Sequence, residues 1–148
     1  MNVEREQQLV SAFVVPRKRE RYVEMVSSKK ARAKFLQSLY HFGDFDLAWV
    51  VAAPHAAEDT IAELQRRGAP DDCYIISVSK ELDGLIKPLE DVIRERIAPI
   101  EGSIVCCVRR ELAYFEGEPP QNRLILHRSR SNNRLQPAAL RAIVKRRV

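Results

Sequence analysis

Apolar positions recur along this chain at two spacings, and the change from one to the other outlines a fold. Ala31, Phe35 and Leu39 stand at i, i+4 and i+8, with Leu36 and Tyr40 alongside and basic residues between them. That spacing predicts an amphipathic helix over 29–40, with one apolar stripe and a basic remainder. Ser27 or Ser28 offers an N-cap in front of it, and Gly43 ends it. Pro16 reads as the first turn of a preceding helix that runs to Val26, with Tyr22 and Val26 on one face.

Leu47–Ala53 is a continuous apolar run between Asp46 and Pro54, the pattern of a strand buried on both faces. Helical spacing returns over 56–67. Glu58 and Asp59 sit in the first turn, Ile61 and Leu64 on the inner stripe, and Arg66 and Arg67 in the last turn. Gly68 follows as the C′ residue, and Pro70 stands beyond it. Cys73–Val78 reads as a second strand. A strand, a helix and a strand in this succession predict a βαβ unit, a parallel pair joined by a right-handed crossover.

Asp83-Gly84 marks a turn, and Pro88 opens a helix to Ile97 with Leu89, Val92, Ile93 and Ile97 inward. Residues 103–108, 112–115 and 124–127 read as three short strands of an antiparallel meander, turned at Arg109-Arg110 and over 117–122. Residues 128–136 read as a linker and 137–147 as a short final helix. The expected fold class is therefore α/β (α+β). It has two N-terminal helices, a mixed sheet of about five strands holding the βαβ unit and the C-terminal meander, and a basic C-terminal extension. Residues 1–127 form one α/β domain, including a basic amphipathic helical region over 17–42, and 128–148 form the extension.

Composition fits one globular domain: 148 residues, 45% apolar and 30% charged. Three cysteines make no disulfide framework. The longest uncharged apolar run, Leu47–Ala53, falls far short of the roughly 20 residues that span a bilayer. The charged start, Met1-Asn2-Val3-Glu4-Arg5-Glu6, lacks the apolar core of a signal peptide. A cytoplasmic protein without membrane contact is the expectation.

Charge changes the picture more. The net +5 hides three regions of different sign. Residues 17–34 carry eight Lys/Arg against Glu20 and Glu24. Residues 35–127 carry nine Lys/Arg against sixteen Asp/Glu. From Arg128 onward there are seven Lys/Arg and no acid. Segregation of this kind points to contact with a polyanion.

Several chemistries are absent or incomplete. The closest two glycines, Gly102 and Gly117, are fifteen residues apart, which excludes GxGxxG and GxxxxGK[ST] phosphate loops. His41, His55 and His127 are far apart and there is no CxxC, so no metal site and no cofactor are expected. Cys106-Cys107 on a strand places one thiol in the core and the other half-exposed, where flanking Arg109 and Arg110 would favour a thiolate. Ser77-Val78-Ser79-Lys80 fits the S-x-x-K spacing, as does Ser27-Ser28-Lys29-Lys30, but the companion motifs of serine acyltransferases are missing. Asp71, Asp72, Asp83, Glu111, Glu116 and Glu118 would hold a divalent cation if they converged. Pro70-Asp71 begins a nuclease-like pattern that the second strand does not complete.

The basic segments supply the candidate site: Arg128, Arg130, Arg134, Arg141, Lys145, Arg146 and Arg147 in the arm, with Lys29, Lys30 and Arg32 on the helix. Their cations suit phosphates, and Ser129, Ser131, Asn132 and Asn133 add neutral hydrogen bonds. No aromatic residue follows Phe115, so the arm has no stacking platform and its selectivity for sequence is low. The expected function is a non-enzymatic binding or regulatory module whose basic arm contacts RNA or DNA. Two alternatives stand beside it. One is a small metal-dependent nuclease or thiol-dependent enzyme; the other is an antitoxin-like accessory subunit whose arm lies on an acidic protein surface. Oligomeric state is left open.

Overall fold

The computed structural model describes residues 1–97, 102–118 and 123–128, without side-chain detail at 95–97. Three helices open the chain: α1 (Val3–Phe13), α2 (Arg19–Ser27) and α3 (Lys29–Ser38). Only the second and third were expected. Asn2 caps α1 by accepting a hydrogen bond from the Arg5 amide at 3.0 Å. Its buried stripe includes Glu6 beside Leu9, Val10 and Phe13, and an acid at a core position breaks the apolar pattern that reveals a helix. α2 follows a 3-10 turn at Pro16–Lys18, and Ser28 caps α3 through the Ala31 amide.

The chain continues through β1 (Val50–Ala52), α4 (Ala57–Arg66), β2 (Asp72–Ser77), β3 (Ile86–Pro88) and α5 (Leu89–Asp91). α5 widens into a π-helical stretch, Val92–Ile97. The meander β4 (Ser103–Val108), β5 (Leu112–Glu116) and β6 (Arg123–His127) closes the described fold. One sheet holds all six strands in the order β1-β6-β5-β4-β2-β3, and every neighbouring pair is antiparallel.

This arrangement corrects the expected mixed sheet of five strands. β1 and β2 run in the same direction, because four antiparallel steps separate them, but the meander is inserted between them. They are not an adjacent βαβ pair. The physical reason is burial. β2, β4 and β5 are buried along nearly their whole length on both faces and need neighbours on each side, whereas three-residue β1 and β3 suffice for edges. Lys87 and Pro88 in β3 are residues that blunt an edge against further pairing. β1 is also shorter than its apolar run. The Asp46 side chain accepts from the Ala48 amide (3.0 Å) and turns Leu47–Trp49 into a 3-10 segment.

Alternation along the strands builds two cores. Tyr74, Ile76, Ile104, Cys106, Phe115 and Leu124 face α1–α3. Cys73, Ile75, Val105, Cys107, Tyr114 and Ile125 face α4 and α5. Helices therefore cover both faces of the sheet, and Cys106 and Cys107 are both buried, one in each core. The expected half-exposed thiol does not exist, because no face is left open to water. Under α1–α3, Tyr22, Phe35, Phe42, Phe45 and Phe115 meet edge to face, with centroids 4.6–6.3 Å apart. Such pairs contribute about 0.5–1.5 kcal/mol each beyond area burial. Among the described residues no helix is long and apolar enough to cross a membrane. The predicted linker beyond Arg128, the final helix and the side chain of Ile97 lie outside the described residues.

Candidate nucleic-acid interface

The 3-10 turn before α2 and the α2–α3 pair expose the cations Arg17, Arg21, Lys29, Lys30 and Lys34, with Glu20 and Glu24 as exposed acids. Lys29 and Lys30 open α3, whose first turn contains no acid. The amides at a helix N-terminus already present partial positive charge, so cations there cost about 0.3–1 kcal/mol each and carboxylates would be favoured. Neither lysine forms an ion pair with a described residue. Local stability is given up at this end of α3, and what it leaves is a place suited to an external anion.

Arg32 points the other way. It stands at i−3 from Phe35 and i−7 from Leu39, on the stripe that packs inward, and it is buried. Its Nε and Nη2 donate to the two Glu6 carboxylate oxygens at 2.7 and 3.1 Å. Its Nη1 and Nη2 donate to Asp83 at 2.6 and 2.8 Å. The Tyr74 hydroxyl donates to Glu6 Oε2 at 2.5 Å, and the Ser77 amide donates to Asp83 Oδ1 at 3.0 Å. Hydrogen bonding to Asp83, ahead of that to Glu6, holds the Arg32 guanidinium protonated beyond its ordinary range, and burial pushes the Tyr74 hydroxyl up. All the carboxylate oxygens of this network are satisfied from within. Arg32 is thus a strut joining α1, α3 and the β2–β3 turn, and it leaves the set of cations open to a ligand.

Arg128 is committed as well. Its backbone amide donates to Glu111 O at 2.8 Å and its Nη1 to Ala12 O at 3.0 Å. Its guanidinium lies over the Trp49 ring, 4.3 Å from the centroid. It is the root of the arm rather than part of its reach. Arg130, Arg134, Arg141, Lys145, Arg146 and Arg147 fall outside the described residues.

α1 holds Arg128 and the α2–α3 turn close to one another. The arm's root docks at Ala12, while Gln7 Nε2 donates to Ser27 Oγ at 2.6 Å in the α2–α3 turn. Five residues along a helix is roughly 7–8 Å. The structure adds Arg109 and Arg110, exposed in the β4–β5 turn at the end of the sheet where β6 finishes. Arg110 takes φ 62°, the left-handed conformation that the tight turn requires. Sequence reading treats these two as turn residues. Only the antiparallel order places them beside the arm's root, together with exposed Glu111.

At the same end, Arg67 Nη1 lies 2.9 Å from His127 Nδ1. Arginine can only donate, so Nδ1 accepts and the ring is neutral with its proton on Nε2. Burial, followed by the Arg67 charge, lowers the His127 pKa from 6.5. The unfolded chain therefore takes up this proton first. The group's stabilising contribution is complete above about pH 6.5 and is lost as the pH falls from there through its folded value. In a proton NMR titration His127 shows a depressed pKa, and Arg67→Gln raises it. A wild-type value at or above 6.5 would refute the assigned pairing.

The groups proposed for catalysis do not converge. Asp71, Asp72 and Glu111 lie at one end of the sheet, while Asp83, Glu116 and Glu118 lie at the other. Asp83 is held by Arg32, Glu116 accepts from Tyr114 (2.9 Å) and pairs with Arg123, and Glu118 pairs with His41. Among the described residues no group of three or more His, Cys, Asp or Glu is placed to hold a metal ion. The Ser77 hydroxyl is hydrogen-bonded to Ser103 Oγ (2.7 Å) in the sheet, with Lys80 exposed beyond the strand. No protein-family model, curated protein or solved structure matches this chain.

Proposed function

We propose that the protein is a cytoplasmic, non-enzymatic binding or regulatory module that holds RNA or DNA by its phosphates, using the basic arm and the α2–α3 face. The observation that carries this reading is the N-terminus of α3. Lys29 and Lys30 sit where a helix disfavours cations, no acid is in the first turn, and neither is neutralised by a described neighbour. A surface that serves only solubility gains nothing from this placement. A phosphate-binding surface gains both the lysine charge and the helix-end amides. Phosphate contacts fix position without reading bases, and with no aromatic residue after Phe115 the arm cannot stack on them. Selectivity for sequence is accordingly low.

The double reversal Lys29→Glu/Lys30→Glu tests the reading because binding and stability respond with opposite signs. Two acids in the first turn stabilise α3 by about 0.3–1 kcal/mol each. Loss of two phosphate contacts weakens binding to single-stranded RNA or duplex DNA about tenfold or more at moderate salt. Thermal unfolding and fluorescence anisotropy measure the two effects. A variant that binds as tightly as wild type, at every salt concentration, removes the α3 terminus from the interface.

A further inference from the structure

β2 and β4 pair Tyr74 with Cys106 and Ile75 with Val105, and the same register carried one residue on sets Cys73 opposite Cys107. Both side chains project to the α4–α5 face and share one buried cluster, whereas Cys106 projects to the α1–α3 face. A register shift between Cys106 and Val108 interrupts the β4–β5 pairing at Cys107, the position where bulges re-aim a side chain. We propose that Cys73 and Cys107 are a redox modification site, oxidised by hydrogen peroxide to a cross-strand disulfide and reopened by a thiol reductant.

In the reduced state each thiol donates to a backbone carbonyl, Cys73 Sγ to Pro70 O at 3.7 Å and Cys107 Sγ to Val105 O at 3.8 Å. Their mutual influence divides the roles, holding the Cys73 thiol below its ordinary value and raising Cys107 well above. Burial, with the nearby Glu6 charge adding to it, pushes Cys106 up to about 12 and leaves it a thiol. The Cys73 thiolate attacks one peroxide oxygen, forming a sulfenic acid as the O–O bond breaks and hydroxide departs. Cys107 gives its proton to that hydroxide and attacks the Cys73 sulfur, forming the S–S bond and expelling the second oxygen, which leaves as water with the proton Cys73 had released. Two thiols and one peroxide become one disulfide and two waters, and the two electrons lost by sulfur reduce the peroxide.

Geometry favours a reversible bond. Directly opposed residues on antiparallel strands hold Cβ atoms about 4.5–5.5 Å apart, against about 3.5–4.5 Å in a disulfide, so closure draws the strands together slightly. A bond made under that tension is readily reduced. Both thiols are buried in the closed structure, so peroxide reaches them through local opening, for which three-residue β3, paired with Cys73 through Lys87, is the element beside them that needs least.

The test is thiol counting and non-reducing peptide mapping of the intact protein after hydrogen peroxide. Wild type is expected to lose two of its three thiols, to yield a peptide linked through Cys73 and Cys107, and to regain both thiols with dithiothreitol. Cys106→Ala behaves identically, whereas Cys73→Ser and Cys107→Ser form no intramolecular disulfide. Mapping on wild type needs no variant to fold. Three persistent thiols under peroxide that oxidises glutathione, or a link through Cys106, would overturn the proposal.

Discussion

Arg32→Met is expected to lower the unfolding free energy by about 3–5 kcal/mol, the cost of removing one partner from a buried ion pair. Methionine fills much of the arginine volume, so the loss is electrostatic rather than a cavity effect. Glu6 is fully buried and keeps only its hydrogen bond from Tyr74 once the guanidinium is gone. Asp83 is partly exposed and can recover water. The deficit therefore resides at Glu6. Glu6→Gln added to Arg32→Met removes the stranded charge, so the double variant is more stable than the sum of two single losses predicts. Urea unfolding with both single variants and the double closes the cycle. A loss below about 1 kcal/mol for Arg32→Met would show that this pair contributes as an exposed one does.

Arg32 also shows where sequence reading stops. A basic helix with one apolar stripe is legible from Ala31, Phe35 and Leu39, and the Ser28 cap and helix boundary follow. That reading assigns every cation to the outer face. Yet Arg32, Phe35 and Leu39 stand at i, i+3 and i+7, a core spacing, and the clue to inward burial was the acid at the equally unlikely position Glu6. Two oppositely charged core residues conceal one another, because each looks like surface until its partner is placed 26 residues away.

Elements governed by local chemistry were readable. α4 is bounded as its end residues require, with Gly68 at φ 99° beyond its last turn, and the meander strands alternate between two cores. Strand order was not, since nothing in the Leu47–Ala53 or Cys73–Val78 runs records that three later strands will enter between them. Nor does the three-residue β3 carry an alternation long enough to detect. The same non-local step hides Arg109 and Arg110, which join the arm's root only once β5 lies between β4 and β6.

Truncation after Arg128 should produce the largest change in binding. It removes Arg130, Arg134, Arg141, Lys145, Arg146 and Arg147, six cations with no acid among them. If all six meet phosphates, the slope of log affinity against log salt on duplex DNA becomes shallower by about five, and by about four on a single strand. The cut belongs after Arg128 because that residue holds Ala12, Glu111 and Trp49, and removing it would mix lost binding with a loosened fold. Anisotropy across a salt series separates the contributions. A shallower slope after truncation, and a further loss on Lys29→Glu/Lys30→Glu, place both segments on one polyanion, as their common anchorage on α1 suggests. An unchanged slope confines the contact to the helices. If full-length protein binds neither RNA nor DNA at low salt, phosphate is the wrong anion. The arm then faces carboxylates on an acidic protein, and the same two variants become the test of that partner's release.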